Sequence, residues 1–245
     1  MNDIPELLEE DIEQAANDLL SDYQNKFSWV PQCPIPVERI AEKHLGYHIE
    51  ITDDDIYKDA QILGGIIFDD KVIQVNGSIE NHDGRYSFTI AHELGHHCLH
   101  KELFQKLGIE PDAHTNMCRE TGEKPLAEQQ ADSFAAYLLM PTKFVNKAYI
   151  KAFGDTNEVF DMGYKKRHML GSIASRVIEA GGFENVSLTA MANRLIGMEL
   201  ITGVNYQKRV MPDISPKTVK GFWKHYISTF KKGVKRLKKQ QRNQL

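Results

Sequence analysis

The sequence has few cysteines, and their spacing does not suggest a disulfide framework. Cys33, Cys98 and Cys118 are an odd number in 245 residues, and no two of them form a Cys-x-x-Cys pair. Small secreted folds that are stapled by disulfides carry more cysteines than this. We therefore expect the protein to reside in a reducing compartment, the cytoplasm.

The chain also lacks a basic amino terminus and long hydrophobic runs. It begins MNDIPELLEEDIEQ, which is acidic where a secretory signal peptide is basic. No apolar stretch approaches the roughly 18 residues that a membrane-spanning helix needs. The sequence thus predicts no transmembrane segment. Its 41% hydrophobic and 26% charged residues are typical of a globular domain.

Acidic residues are missing from the last part of the chain. Residues 214–245 hold ten Lys and Arg and no Asp or Glu, although the whole chain has a net charge of -4. Apolar residues from Val219 to Leu237 recur mostly every three or four positions, which predicts a basic amphipathic helix. Such a helix can bind nucleic acid, an anionic membrane or an acidic partner, or it can dock on the acidic body of the same protein.

The order of the predicted elements indicates an α+β fold. Helical patterns are followed by a strand near 47–52 and by a hairpin over 64–76, so the sheet is small. Two further helices are predicted near 87–104 and 126–140, the second ending before Pro141. We divide the chain into an α+β domain over 1–155, a small helical module over 156–212 and a basic tail over 213–245.

The strongest chemical signal is a His-Glu-x-x-His motif formed by His92, Glu93 and His96. Four residues advance a helix by about 400°, so the two imidazoles lie one turn apart on one face and can reach one metal ion. Glu93 lies beside them and can take a proton from an attacking water. The motif therefore predicts a metal site for peptide hydrolysis.

A catalytic zinc site needs a third protein ligand. His100 would lie about 12 Å along the helix from His92, too far to share the ion. The longer motif that ends in a third histidine is excluded because position 102 is Glu102. The best candidate is Glu128, and Asp132 one turn later can accept the N–H of a ligand histidine. The weaker alternatives lie in a predicted loop: Asp112, Glu120 and Glu123.

Several other polar residues near the motif have roles that the sequence leaves open. Arg85, Tyr86, His97 and Tyr137 can each be considered as a donor to the oxyanion of the transition state. Arg85 can equally contact the substrate or form a structural ion pair, and Arg85 and Tyr137 are the main candidates. We expect His97 and His100 to be packing or surface histidines.

The stretch FTIAHELGHHCLH, followed by EQQADSFAAYLLMP, resembles the ImmA/IrrE family of metallopeptidases. Further segments agree, namely PIPVERIAEKHLG, GGIIFDDKVIQVN and SLTAMANRLIGMELI, as do Arg85 and Phe88 before the motif. The likeness covers roughly residues 10–205 and is most specific over 85–141. It implies a zincin-like metallopeptidase domain within the α+β fold.

The resemblance also implies roles for individual residues. One zinc ion per chain would be held by His92, His96 and Glu128, with Glu93 as the general base. The pair Glu128 and Asp132 is similar to an arrangement in gluzincins, where the aspartate supports a ligand. Members of the family cleave a helix-turn-helix transcriptional repressor, so the resemblance implies such a protein substrate and a role in transcription regulation.

The helical module admits a second interpretation of the whole protein. The segment SLTAMANRLIGMEL, with Ser187 as its N-cap, resembles the second part of a helix-turn-helix. Because this segment is not markedly basic, we favour a module that packs on the peptidase domain or presents a substrate surface. The alternative is a non-enzymatic zinc-containing regulator that binds nucleic acid or a protein through this module and the basic tail.

Overall fold

The computed structural model describes residues 4–52, 63–106, 125–154, 160–161 and 169–203. The predicted basic tail helix lies outside the described residues, and so do the alternative ligands Asp112, Glu120 and Glu123. Among the described helices, none combines the length and apolar character that crossing a bilayer requires.

Helices form most of the described chain, together with a small sheet, so the α+β prediction is confirmed. The α-helices are α1 (Glu9–Phe27), α2 (Val37–Arg39), α3 (Asp83–Gly95), α4 (Lys101–Lys106), α5 (Leu126–Leu139), α6 (Thr142–Phe153), α7 (Leu170–Gly181) and α8 (Leu188–Gly197). π-Helical turns follow α2 at Ile40–Leu45 and α3 at His96–His100, and a 3₁₀ turn spans Gly77–Ile79. The strands are β1 (His48–Thr52), β2 (Gly64–Ile67), β3 (Val72–Asn76), β4 (Phe160–Asp161) and β5 (Ile201–Thr202).

The main sheet is mixed and has the order β1-β3-β2. The central strand β3 runs parallel to β1 and antiparallel to β2. The turn between β2 and β3 contains Asp69 and Asp70, as the sequence predicts, and Lys71 closes it with a φ of 49°. Strand β2 is an edge strand, and within the described ranges no strand pairs with its outer side.

Small residues bring β2 and α5 close to α3. A Cβ built at Gly64 would lie 2.4 Å from Cγ2 of Thr89 on α3, so only glycine fits there. On another face of α3, a Cβ built at Gly95 would lie 3.1 Å from Cα of Ala131 on α5. The helix that carries the His-Glu-x-x-His motif is therefore held between an edge strand and the helix of Glu128.

The sequence prediction lacks α6. Pro141 indicates the end of α5, because it has no N–H to continue the helix, but a proline is also tolerated where a helix begins. Helix α6 starts at Thr142 and buries Val145, Ala148 and Tyr149 at helical spacing. It packs against α7, which in turn packs against α8.

Helix α8 begins as predicted, since the side-chain oxygen of Ser187 accepts a hydrogen bond from the N–H of Ala190 at 3.1 Å. Buried residues of α7 and α8, such as Val177 and Leu195, belong to the same hydrophobic cluster as Ile90 of α3. The proposed domain boundaries at 155 and 212 stay predictions.

Candidate metal centre

Three side chains from two helices converge on one point. The Nε2 atoms of His92 and His96 are 3.1 Å apart, and the two carboxylate oxygens of Glu128 lie 3.2 Å from the first and 3.3 Å from the second. Two ligand atoms that are each about 2.0–2.1 Å from a tetrahedral ion are about 3.3–3.4 Å apart. The observed separations fit that geometry, so the group can hold one metal ion.

Local structure explains why these three residues meet. His92 and His96 are one helical turn apart at the end of α3 and the start of the π-helical turn, and both are buried. Helix α5 begins directly after Pro125, and Glu128 lies in its first turn. The close contact between Gly95 and Ala131 lets α5 bring that carboxylate to the histidine pair.

A second carboxylate contacts His92 from behind. An oxygen of Asp132 lies 3.0 Å from Nδ1 of His92, on the side of the ring that faces away from Glu128. A carboxylate can only accept, so this contact holds a hydrogen on Nδ1 and leaves Nε2 free to bind a metal.

The Nδ1 atom of His96 contacts a different kind of partner, a third histidine. Its Nδ1 lies 3.0 Å from Nδ1 of His100, and Nε2 of His100 lies 2.9 Å from the side-chain oxygen of Gln130. Burial lowers the pKa of His100 to about 4, with the charge of His96 as the next contribution. His100 lies outside the ligand group, in line with the axial distance.

His100 is buried and stacks on Phe104, as expected of a packing histidine, but the prediction did not include its contact with His96. The spacing of four residues between His96 and His100 was the available signal for this contact. Gln130 carried no comparable signal in the sequence.

Glu93 is buried beside the ligand group without any hydrogen bond. Its side chain is 0% exposed, and neither carboxylate oxygen has a partner within the part of the chain that the structure describes. Burial raises the pKa of Glu93, while the charges of His92 and His96 act in the opposite direction. A buried carboxyl without a partner is costly, and such groups occur at functional sites.

The pKa of Glu128 is shifted in the opposite direction. Burial alone raises its pKa, but the charges and hydrogen bonds of His96 and His92 outweigh burial and lower it below the ordinary value. Glu93 and Glu128 are thus two buried carboxyls whose surroundings shift their pKa values in opposite directions. Such a difference is what separates a proton acceptor from a permanently charged ligand.

A cavity of about 760 Å³ lies beside Asp132, the residue that contacts His92, and its lining does not include His92, His96 or Glu128. Helices α1, α3, α5 and α8 each contribute to its wall. Its polar lining includes Glu9, Arg85, Tyr137, Asn193 and Arg194.

Two of the four candidate oxyanion donors line this cavity. Arg85 and Tyr137 line it, whereas Tyr86 and His97 do not. The hydroxyl of Tyr86 is hydrogen-bonded to Glu38. His97 is 2.7 Å from the hydroxyl of Tyr47, through its Nδ1.

Tyr137 already has a hydrogen-bond partner in the cavity. Its hydroxyl donates to a carboxylate oxygen of Glu9 at 2.7 Å, and burial followed by that hydrogen bond raises its pKa to about 12. The hydroxyl therefore keeps its proton at neutral pH.

Comparison with known families identifies the family of the chain. A family model described as IrrE N-terminal-like domain, a peptidase family, matches residues 36–164, which is more than half of the chain. The matched range contains the whole ligand group and Glu93. The comparison with curated proteins found no match. The resemblance noted in the sequence is confirmed, and the chain belongs to the IrrE N-terminal-like family of metallopeptidases.

Proposed function

We propose that the protein is a zinc-dependent endopeptidase, in which His92, His96 and Glu128 hold one zinc ion and Glu93 is the general base. The observation that carries the proposal is the Glu93 carboxylate, which is fully buried beside the ligand group and has no partner within the described residues. A closed structural metal site has no use for such a group.

The donor set suits zinc. Two imidazoles and one carboxylate are a common set of three protein ligands in catalytic zinc sites, which keep one position open. An ion bound there supplies a Lewis acid that polarises the scissile carbonyl.

Glu93 then performs the proton transfers. Its carboxylate takes a proton from the attacking water and later delivers that proton to the nitrogen of the leaving amine.

Two features of the fold support binding of an extended peptide. The outer side of β2 can pair with a substrate strand through main-chain hydrogen bonds, and β2 packs directly on the motif helix through Gly64 and Thr89. The cavity beside Asp132 can take substrate side chains. Arg85 and Tyr137 line it and are the candidates for contact with the substrate or its oxyanion.

The position of α8 bears on the role of the helical module. Ser187, Asn193 and Arg194 of this helix form one wall of the cavity. This placement favours a module that contacts the substrate over one that binds DNA.

The proposed substrate is a helix-turn-helix transcriptional repressor, which the family resemblance implies, and cleavage would relieve repression in the cytoplasm. The experiment uses full-length protein loaded with zinc and a purified repressor encoded beside its gene. Three variants are compared: wild type, Glu93→Gln, and Glu102→Gln as a control at an exposed glutamate on α4.

We expect wild type and Glu102→Gln to cleave the repressor, and Glu93→Gln to retain zinc while its cleavage rate falls by about 10²- to 10⁴-fold. Cleavage by Glu93→Gln at the wild-type rate contradicts the assignment of the base. Inactivation of the repressor by Glu93→Gln without cleavage supports the alternative, a non-enzymatic regulator.

A further inference from the structure

A line of hydrogen bonds leads from the ligand group to the amino-terminal segment. His96 contacts His100 at 3.0 Å, and His100 contacts the oxygen of Gln130 at 2.9 Å. The side-chain nitrogen of Gln130 donates to the main-chain carbonyl of Pro5 at 2.9 Å. His96, His100 and Gln130 are each at most 3% exposed, so water does not compete for these contacts.

The direction of these hydrogen bonds can be worked out from the Pro5 end. A main-chain carbonyl only accepts, so the NH₂ of Gln130 must face Pro5. The amide oxygen of Gln130 then faces His100 and also only accepts. Nε2 of His100 must therefore carry a hydrogen.

The same direction follows from the other end. For Nε2 of His96 to bind a metal, its ring hydrogen must be on Nδ1. That hydrogen points at Nδ1 of His100, which has to accept it. A neutral His100 that accepts at Nδ1 carries its hydrogen on Nε2, in agreement with the direction from Pro5.

We propose that Gln130 is a positioning residue, which acts through His100 to keep the hydrogen of His96 on Nδ1 and its Nε2 free for the metal. This inference rests on the proposed function, since it assumes a metal on Nε2 of His96. Pro5 is part of the same hydrogen-bonded chain, because its carbonyl binds the NH₂ of Gln130 and so turns the amide oxygen towards His100.

The two ligand histidines are thus oriented in different ways. His92 has the carboxylate of Asp132 behind it, whereas His96 reaches an acceptor only through a second imidazole and a neutral amide. The neutral amide orients His96 without adding a third carboxylate to Glu128 and Asp132.

Two substitutions at position 130 separate the positioning role from a merely structural one. Gln130→Met removes both the acceptor for His100 and the donor for Pro5. Gln130→Glu keeps an oxygen towards His100, loses the donor for Pro5 and adds a carboxylate to the site. If Gln130 served only to fasten the amino-terminal segment to α5, the two variants would behave alike.

The readouts are zinc affinity, from competition with a chelator, and ¹⁵N NMR of the imidazoles, which reports the tautomer of each ring. Full-length protein is used, with Gln129→Met as the control at the adjacent exposed glutamine. Unfolding of the metal-free variants shows whether each one folds.

In wild type, Gln129→Met and Gln130→Glu, we expect His100 to carry its hydrogen on Nε2 and zinc to bind with affinities within a few-fold of one another. In Gln130→Met we expect the His100 tautomer to change and zinc affinity to fall by about 10- to 100-fold. Equal zinc affinity and unchanged tautomers in Gln130→Met would overturn this inference alone. Equal losses in Gln130→Met and Gln130→Glu would also overturn it, and failure of wild type to bind zinc would overturn the proposed function with it.

Discussion

Gly95 and Ala131 are in direct contact across α3 and α5, such that a Cβ at position 95 would lie 3.1 Å from Cα of Ala131. The contact lies between the two histidines on one helix and Glu128 on the other. The distance between the helices at this point sets how closely the carboxylate can approach the imidazoles.

Gly95→Ala tests this contact. The added methyl group must push α5 away by a few tenths of an ångström, so we expect the free energy of unfolding to fall by about 1–3 kcal/mol and zinc affinity to fall with it. Gly171→Ala on α7 is the matched control, because a Cβ there meets nothing within 4 Å. That control should gain up to about 1 kcal/mol from helix propensity. A gain of the same size in Gly95→Ala, measured by urea unfolding, contradicts the close approach.

The two carboxylates of α5 should differ in their effect on zinc binding. Asp132→Ala removes the acceptor for Nδ1 of His92, and we expect zinc affinity to fall by about 10- to 100-fold. Glu128→Gln replaces the charged oxygens that face both imidazoles, so its loss should be larger. Chelator competition measures both. The reverse order, with Asp132→Ala the weaker binder, would exchange the roles of these residues.

Zinc should also stabilise the fold. An ion that binds only the folded chain adds about 2.7 kcal/mol at a free concentration of 100 times its Kd. We therefore expect a chelator to lower the melting temperature of wild type, and zinc to restore it. Glu128→Gln should respond far less to either addition. A wild-type melting temperature that is the same with zinc and with chelator argues against a site within the fold.

The raised pKa of Glu93 predicts a pH dependence of the metal-free protein. Because burial raises this pKa in the folded state, the stability linked to Glu93 is present below its unfolded value of about 4.3 and is lost as the pH rises through the folded pKa. Glu93→Gln does not suffer this loss. Its free energy of unfolding relative to wild type should therefore increase as the pH rises above the unfolded value of about 4.3.

Urea unfolding in the presence of a chelator measures this difference, with Glu102→Gln as the exposed control. A difference between Glu93→Gln and wild type that stays constant with pH would show that burial does not shift Glu93.

The elements that the sequence predicted are those set by local patterns. The spacing of His92 and His96 follows from the period of one helix, and Ser187 caps α8 through a contact three residues away. The turn at Asp69 and Asp70 is equally local.

The contacts that the sequence did not predict depend on how distant segments dock. Gln130 donates a hydrogen bond to Pro5, which is 125 residues away in the sequence, and no local residue pattern predicts that contact. Helix α6 was missed because Pro141 both ends one helix and begins the next. Glu128 lies between these cases. Asp132 one turn later made it the best candidate for the third ligand, but no local pattern shows how α5 docks against α3.

The proposed zinc site requires that two helices bring two imidazoles and one carboxylate to a single ion. Anomalous diffraction at the zinc absorption edge, from crystals of the zinc-loaded protein, locates that ion. We predict one peak about 2.0–2.2 Å from Nε2 of His92, Nε2 of His96 and an oxygen of Glu128. A peak elsewhere, or a peak on the histidines with the side chain of Glu128 turned away, would contradict this assignment.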